Sequence, residues 1–269
     1  MALKHRGPDS TGFAVYGEPS RDQYIMRIKV AEKEDMNSGY GIMDRITERI
    51  KEIQRRMELH GANIIETNKG TDYALRYVIR HDGDIEDMAR HIEEIDSVEI
   101  LSLGNGLELI KDLGDANEVA DAYGLSGFDG THAIGHTRMA TESAVSPAHA
   151  HPFTAGEDFC LVHNGSLSNP NSIRRKLQRK GIHFETDNDT EAGCRFLEWR
   201  MSEGDSLRDA LERAFGELDG FYTFLMASAD SLVLVRDGFA CKPAVVAETD
   251  YYVAVSSEFR SLAHLPDIQ

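Results

Sequence analysis

Apolar positions along the chain change their period several times, and each change predicts an element. GFAVYG (residues 12–17) and YIMRIKV (residues 24–30) alternate in the manner of strands across the polar GEPSRDQ, which predicts a hairpin. From about residue 31 the pattern turns charged and mixed. Ile42, Ile46, Ile50, Ile53 and Met57 recur at helical spacing up to Gly61, predicting an amphipathic helix whose apolar stripe faces a core. ANIIET and YALRYVIR flank the turn NKGTD as a second hairpin. DIEDMARHIEEI then reads as a helix, SVEILSL as a strand and DANEVADAYG as a helix.

Strand character returns after Gly127. THAIGHTR alternates, and EDFCLVHNG reads as a strand closed by an Asn-Gly turn. NPNSIRRKLQRKG is a short helix with Pro170 near its start and Gly181 past its end. Two amphipathic helices follow in DTEAGCRFLEWRMSEG and SLRDALERAFGEL. A ladder comes last: GFYTFLMASA, SLVLVRDG, KPAVVAE, a turn at Thr249-Asp250, YYVAVSS, and a closing helix from Glu258. Strands, helices and strands again predict an α+β protein of layered sheets with helices packed outside, into which an α/β segment is inserted.

Composition narrows the function classes. A hydrophobic share of 41% over 269 residues is that of a globular protein, and no apolar run reaches the roughly 20 residues of a membrane helix. With no apolar leader at the start, the expectation is a cytoplasmic protein with no membrane partner. The formal charge of -17 repels a phosphate backbone, so no nucleic-acid partner is expected. Cys160, Cys194 and Cys241 are odd in number and lack a CxxC pair, which points to reduced thiols.

Four polar clusters fall at the ends of apolar strands, where a scaffold displays working groups. Arg6 and Asp9 lie in the turn-rich HRGPDSTG, which has no predicted element in front of it. Arg138 closes a strand in GHTRMAT, either as a surface ion-pair partner or as a fork for a carboxylate. Asn164 and Gly165 are a hairpin turn or, read chemically, an amide and an unobstructed backbone N–H that together meet an oxyanion. Asp187 and Asp189 precede a helix, as caps or as acceptors for a substrate ammonium. His132, His136, His149, His151 and His163 invite a metal, but no HxxxH or CxxC spacing supports one, and none is expected.

Taken together and in order, HRGPDSTG, GHTRMAT, HPF, LVHNGSLSN, DNDTEA, RDG with KPAVVAE, and VSSE resemble the glutaminase domain of class II glutamine amidotransferases, the N-terminal-nucleophile hydrolases. The resemblance covers residues 1–30 and 127–269, leaving 31–126 as an α/β insertion. It implies a four-layer αββα sandwich. It also implies roles: Arg138 for the α-carboxylate of glutamine, Asp189 for its α-ammonium, Asn164 and Gly165 for the oxyanion, Thr141 and His151 lining the pocket, and Arg6 with Asp9 supporting the nucleophile. In the family that nucleophile is an N-terminal cysteine of a CGI start whose own amine is the base. This sequence shows no such residue, so the chain is expected to be silent without an upstream segment.

Within the family, the C-terminal motifs and the insert look most like the amidotransferase subunit of glutamate-synthase-like systems, including the N-methylglutamate synthase type. No cofactor is expected in this chain. The implied partner is a synthase subunit that receives ammonia and carries FMN and iron–sulfur centres. A glutamine-binding or regulatory subunit without turnover is the rival reading, and a histidine-based metal hydrolase a third.

Overall fold

The computed structural model describes residues 6–18, 20, 22–32, 35–37, 41–139, 147–154 and 158–268. Its contacts divide the chain into two compact units. One comprises residues 1–13, 111–119 and 134–269, the other 14–110 and 120–133.

The second unit is built on a four-stranded sheet in the order β3-β4-β2-β5, from Asn63–Thr71 (β3), Ala74–Arg80 (β4), Tyr24–Lys29 (β2) and Glu99–Gly104 (β5). Helix α1 (Ile42–Leu59) buries Ile42, Ile46, Ile53 and Met57 of the predicted stripe and leaves Ile50 half-buried. Helix α2 (Ile85–Glu93) starts where the Asp84 carboxylate accepts the Asp87 N–H at 2.9 Å, and it buries Ile85, Met88 and Ile92. Antiparallel pairing sets Arg27 of β2 directly opposite Arg76 of β4. Two like charges so placed repel, and Glu108 of β6 (Leu107–Leu113) resolves the conflict by accepting both guanidiniums at 2.7 and 2.9 Å. Burial alone pushes the Glu108 carboxyl up, and the hydrogen bonds and charges of Arg76 and Arg27 outweigh it, leaving it below the usual carboxylate range.

Two sequence expectations change here. β1 (Ser10–Tyr16) and β2 do not form a hairpin: β1 lies between β6 and β7 (His132–Arg138) in a three-stranded sheet, whereas β2 pairs with β4 and β5. The inserted segment is expected over 31–126; the compact unit that contains most of it comprises residues 14–110 and 120–133 and includes β2. Strand β6 was not foreseen; LELIKDL mixes charged with apolar positions because its charged side chains are themselves buried and paired.

The first unit contains the sheet β11-β10-β9-β8, from Ser231–Arg236 (β11), Gly220–Ser228 (β10), Cys160–Leu167 (β9) and Phe153–Thr154 (β8). Helices α4 (Pro170–Gln178), α5 (Asp189–Ser202) and α6 (Leu207–Glu217) pack on it. Ile173, Leu177, Phe196, Leu197 and Leu211 share one buried cluster with Leu161, Tyr222, Phe224 and Met226. A two-stranded pair, β12 (Val245–Glu248) with β13 (Val253–Ser256), and the short α7 (Phe259–Leu262) complete the chain.

Asn164-Gly165 is not a turn. β9 continues through both residues to Leu167, pairing Asn164 with Thr223 and Gly165 with Tyr222 of β10. A long apolar partner strand overrides the local turn preference.

Candidate active site

A cavity of about 870 Å³ opens in the first unit, with Arg6, Arg138, His163, Asn164, Gly165 and Asp189 among its walls. Its floor is one edge of β9. β8 pairs with β9 only at Cys160 and Leu161, so beyond that point the edge has lost its partner strand. Alternation along a strand sends the N–H groups of residues 163, 165 and 167 to this same edge.

Side chains occupy the first and last of these positions. The His163 N–H donates to His151 Nδ1 at 3.3 Å, and the Leu167 N–H donates to Asp189 Oδ2 at 2.8 Å. Between them the Gly165 N–H faces the cavity. On the β10 side, Tyr222 sends its N–H and C=O to Asp237 rather than to Gly165, as a non-hydrogen-bonded pair requires. Only glycine fits at 165. Its φ is +152°, and a Cβ would stand 2.1 Å from the Phe221 carbonyl oxygen and 2.7 Å from His163 Nε2.

Arg138, at the end of β7, is 7% exposed. Burial lowers its guanidinium pKa, opposed by the charges of Asp9, Asp187 and Asp189, and the group stays cationic at neutral pH. Its backbone carbonyl accepts the Asp9 N–H at 3.2 Å. Gly7 lies so close that a Cβ there would stand 2.2 Å from the Arg138 carbonyl carbon, which accounts for the glycine in HRGPDSTG. Arg6, one residue earlier, forms an ion pair with Glu258 at 3.0 Å.

Asp189 opens α5, and its loop is clamped from two sides. The buried Glu191 carboxylate accepts the Glu185 and Thr186 N–H groups at 2.8 Å and the Thr186 hydroxyl at 2.6 Å. Arg174 donates to the carbonyls of Thr186 and Asn188. Asn188 caps the helix through the Thr190 N–H at 2.9 Å. Of the two aspartates open at the sequence level, Asp187 is the outer one. His149 holds it at 2.8 Å, and its pKa is lowered chiefly by that hydrogen bond.

Three histidines meet beneath the cavity. The His136 and His151 rings stack at 4.3 Å, His136 Nε2 lies 3.1 Å from the His163 carbonyl, and Thr190 Oγ1 stands 3.0 Å from His163 Nδ1 and 3.4 Å from His151 Nε2. Burial, the largest cause for each, pulls His136 and His163 down to about 4 and His151 well below its ordinary value, so all three are neutral near pH 7.

The structure therefore brings Arg6, Asp9, Arg138, His151, Asn164, Gly165 and Asp189 into one unit, while Thr141 lies outside the described residues. His136, His163 and Thr190 lie within the motifs GHTRMAT, LVHNGSLSN and DNDTEA, where none was given a role of its own beyond the metal candidacy of the two histidines. The position of Thr190 one residue after Asp189, at a helix start, was the available signal. Among the described residues, no group of three or more His, Cys, Asp or Glu is arranged to hold a metal ion. No described helix is long and apolar enough to cross a membrane.

Comparison with known proteins gives concordant results. Residues 136–264 match the glutamine amidotransferase domain family. Over its whole length the chain is 40% identical to a glutamine amidotransferase-like protein, GlxB, of Rhizobium meliloti, covering 84% of that relative. It is 35% identical to a putative glutamine amidotransferase of Methanothermobacter thermautotrophicus over 99% of this chain and 86% of the relative. Among solved structures, glutamine phosphoribosylpyrophosphate amidotransferase from B. subtilis superposes with a TM-score of 0.52 at 20% identity, over 89% of this chain and 43% of that one, a likeness of fold.

Proposed function

The chain belongs to the glutamine amidotransferase family, and from that premise we propose that its cavity binds L-glutamine and stabilises the addition of a thiol to the side-chain amide. The observation that carries this reading is the open edge of β9, where the Gly165 N–H and Asn164 face the same cavity as Arg138 and Asp189.

Arg138 takes the α-carboxylate through charge-assisted hydrogen bonds, and Asp189 offers Oδ1 to the α-ammonium, its Oδ2 being held by Leu167 and its Oδ1 met by the Thr190 hydroxyl at a long 3.4 Å. Thr141 and His151 line the pocket, and Arg6 and Asp9 support the nucleophile. When sulfur adds to the amide carbon, the C=O electron pair moves onto oxygen, and the Asn164 amide and Gly165 N–H donate to it. Collapse with proton transfer to nitrogen expels ammonia and leaves a thioester, which water converts to glutamate.

Cys160 and Cys194 are buried and Cys241 is exposed, and none of the three lines the cavity. Burial pushes the Cys194 thiol well up, so it is no nucleophile. The attacking thiol is therefore assigned to an N-terminal cysteine of the family kind, and ammonia passes to a synthase subunit of glutamate-synthase type, in which FMN and iron–sulfur chemistry would reside. The fold counterpart of this reading is the four-layer αββα sandwich, to which helices α4–α6 on the β11-β10-β9-β8 sheet contribute one helical and one sheet layer.

The same cysteine placement favours a second reading, a glutamine-binding or regulatory subunit without turnover. Glutaminase assays on residues 1–269 and on a chain extended upstream to an in-frame Met-Cys separate the two. Turnover confined to the extended chain supports the amidotransferase. Silence in both with the synthase subunit present supports the regulatory subunit, and turnover from residues 1–269 alone overturns the cysteine assignment.

A further inference from the structure

Where β8 stops, two histidine rings take over the work of a strand. Continuing the β8–β9 register places residue 151 opposite residue 163. β8 ends at Phe153, so both backbone groups of His163 on that edge would be left without a partner strand in a buried environment. Instead, the His163 N–H donates to His151 Nδ1, and the His163 carbonyl accepts from His136 Nε2.

These contacts fix the proton positions. A carbonyl only accepts, so His136 carries its proton on Nε2. A backbone N–H only donates, so His151 Nδ1 is bare and its proton sits on Nε2, facing the Thr190 hydroxyl. That hydroxyl in turn stands 3.0 Å from His163 Nδ1 and 3.4 Å from Asp189 Oδ1. Around this chain stand Arg138 and Lys111 near His151, Arg138 and Arg6 near His136, and Asp189 and Lys242 near His163. The ring stack at 4.3 Å and the edge contact of His151 on Phe153 hold the rings in place.

We propose that His136 and His151 are positioning residues for the oxyanion donors: by clamping both backbone groups of His163 they set the direction of the Asn164 side chain and the Gly165 N–H that follow it. This inference rests on the proposed function for its purpose, though not for its geometry. The rings act through His163 and touch no reacting atom.

The test uses residues 1–269 and hydrogen exchange with ¹H–¹⁵N spectroscopy. His151→Asn places Oδ1 where Nδ1 stood and keeps the acceptor; His151→Phe keeps the stacked ring and removes it. Expected for His151→Phe is exchange at the His163 and Gly165 amides faster by about tenfold or more, with loss of the Gly165 amide shift that L-glutamine induces. His151→Asn is expected to restore both, and ¹⁵N imidazole shifts are expected to report the Nε2–H tautomer in His136 and His151. If His151→Phe fails to fold, His136→Leu against His136→Gln repeats the comparison from the carbonyl side, since the Gln amide still donates. Unchanged exchange in the acceptor-free variants, or failure of the conservative variants to rescue, overturns the proposal. A wild-type protein whose Gly165 amide ignores L-glutamine overturns the proposed function instead, while the exchange comparison still decides the positioning role.

Discussion

Asp189 accepts the Leu167 N–H at 2.8 Å, two residues along the same strand edge from Gly165. A side chain at the start of a helix thereby finishes a sheet edge and, with its second oxygen, faces the cavity. The carboxylate proposed to bind an ammonium is thus also a scaffold group, and separating the two roles yields the first prediction.

Asp189→Asn keeps an oxygen able to accept from Leu167 but loses the charge offered to an ammonium. L-glutamine affinity is expected to fall by about tenfold or more, the equivalent of losing one charge-assisted hydrogen bond. The urea midpoint is expected to move little. Calorimetric titration with L-glutamine beside urea melts checks both; equal affinity in the variant would remove Asp189 from the binding site.

Arg138→Lys tests the fork. A lysine keeps the charge and gives up the two parallel donors, so affinity for L-glutamine is expected to drop about tenfold while glutaramate, which lacks the α-ammonium, loses affinity by the same factor. Parallel titrations with the two ligands provide the comparison.

Gly165→Ala has no room. A Cβ at 2.1 Å from the Phe221 carbonyl oxygen forces β9 and β10 apart, with an expected cost above about 2 kcal/mol in urea-derived stability. By contrast, Glu258→Gln, which weakens the partly exposed pair with Arg6, is expected to change stability by less than about 1 kcal/mol in the same assay.

Stability is expected to fall on acidification. His136 and His163 hold their folded pKa at about 4, below the ordinary 6.5, so the unfolded chain binds more protons between those values. Their contribution is complete above about pH 6.5 and is lost as pH drops toward about 4, at up to about 1.4 kcal/mol per pH unit for each group. His151, lowered for the same reason, adds to the trend. Urea melts at pH 7.5, 6 and 5 measure the slope, and the double variant His136→Gln, His151→Asn is expected to flatten it.

The periodic parts of the chain were legible because their residues answer to one period each. The stripe of α1 and the helices α4, α5 and α6 stand where the pattern placed them, and the hairpin β3–β4 forms with its turn displaced from NKGTD to residues 72–73. What escaped depended on distant partners. β1 and β2 look like a hairpin because they are adjacent and alternate, yet β1 finds β6 and β7 while β2 finds β4 and β5. Asn164-Gly165 carries the dipeptide of a turn, and only the eight-residue match with β10 keeps it extended. At the site, Arg138, Asn164, Gly165 and Asp189 were visible as polar residues at strand and helix ends. Thr190, by contrast, is marked locally only by its place beside Asp189 at a helix start, and its hydrogen bonds to His163 and His151 depend on residues distant in the chain.

The Arg27–Glu108–Arg76 cluster has a consequence for how its unit assembles. Sliding β2 by one residue against β4 would turn Arg27 to the opposite face and part it from Glu108, stranding charges in a medium that cannot solvate them. Three charges in one place thus work as a combination lock: the alignment that sets Arg27 opposite Arg76 is the one in which Glu108 satisfies both.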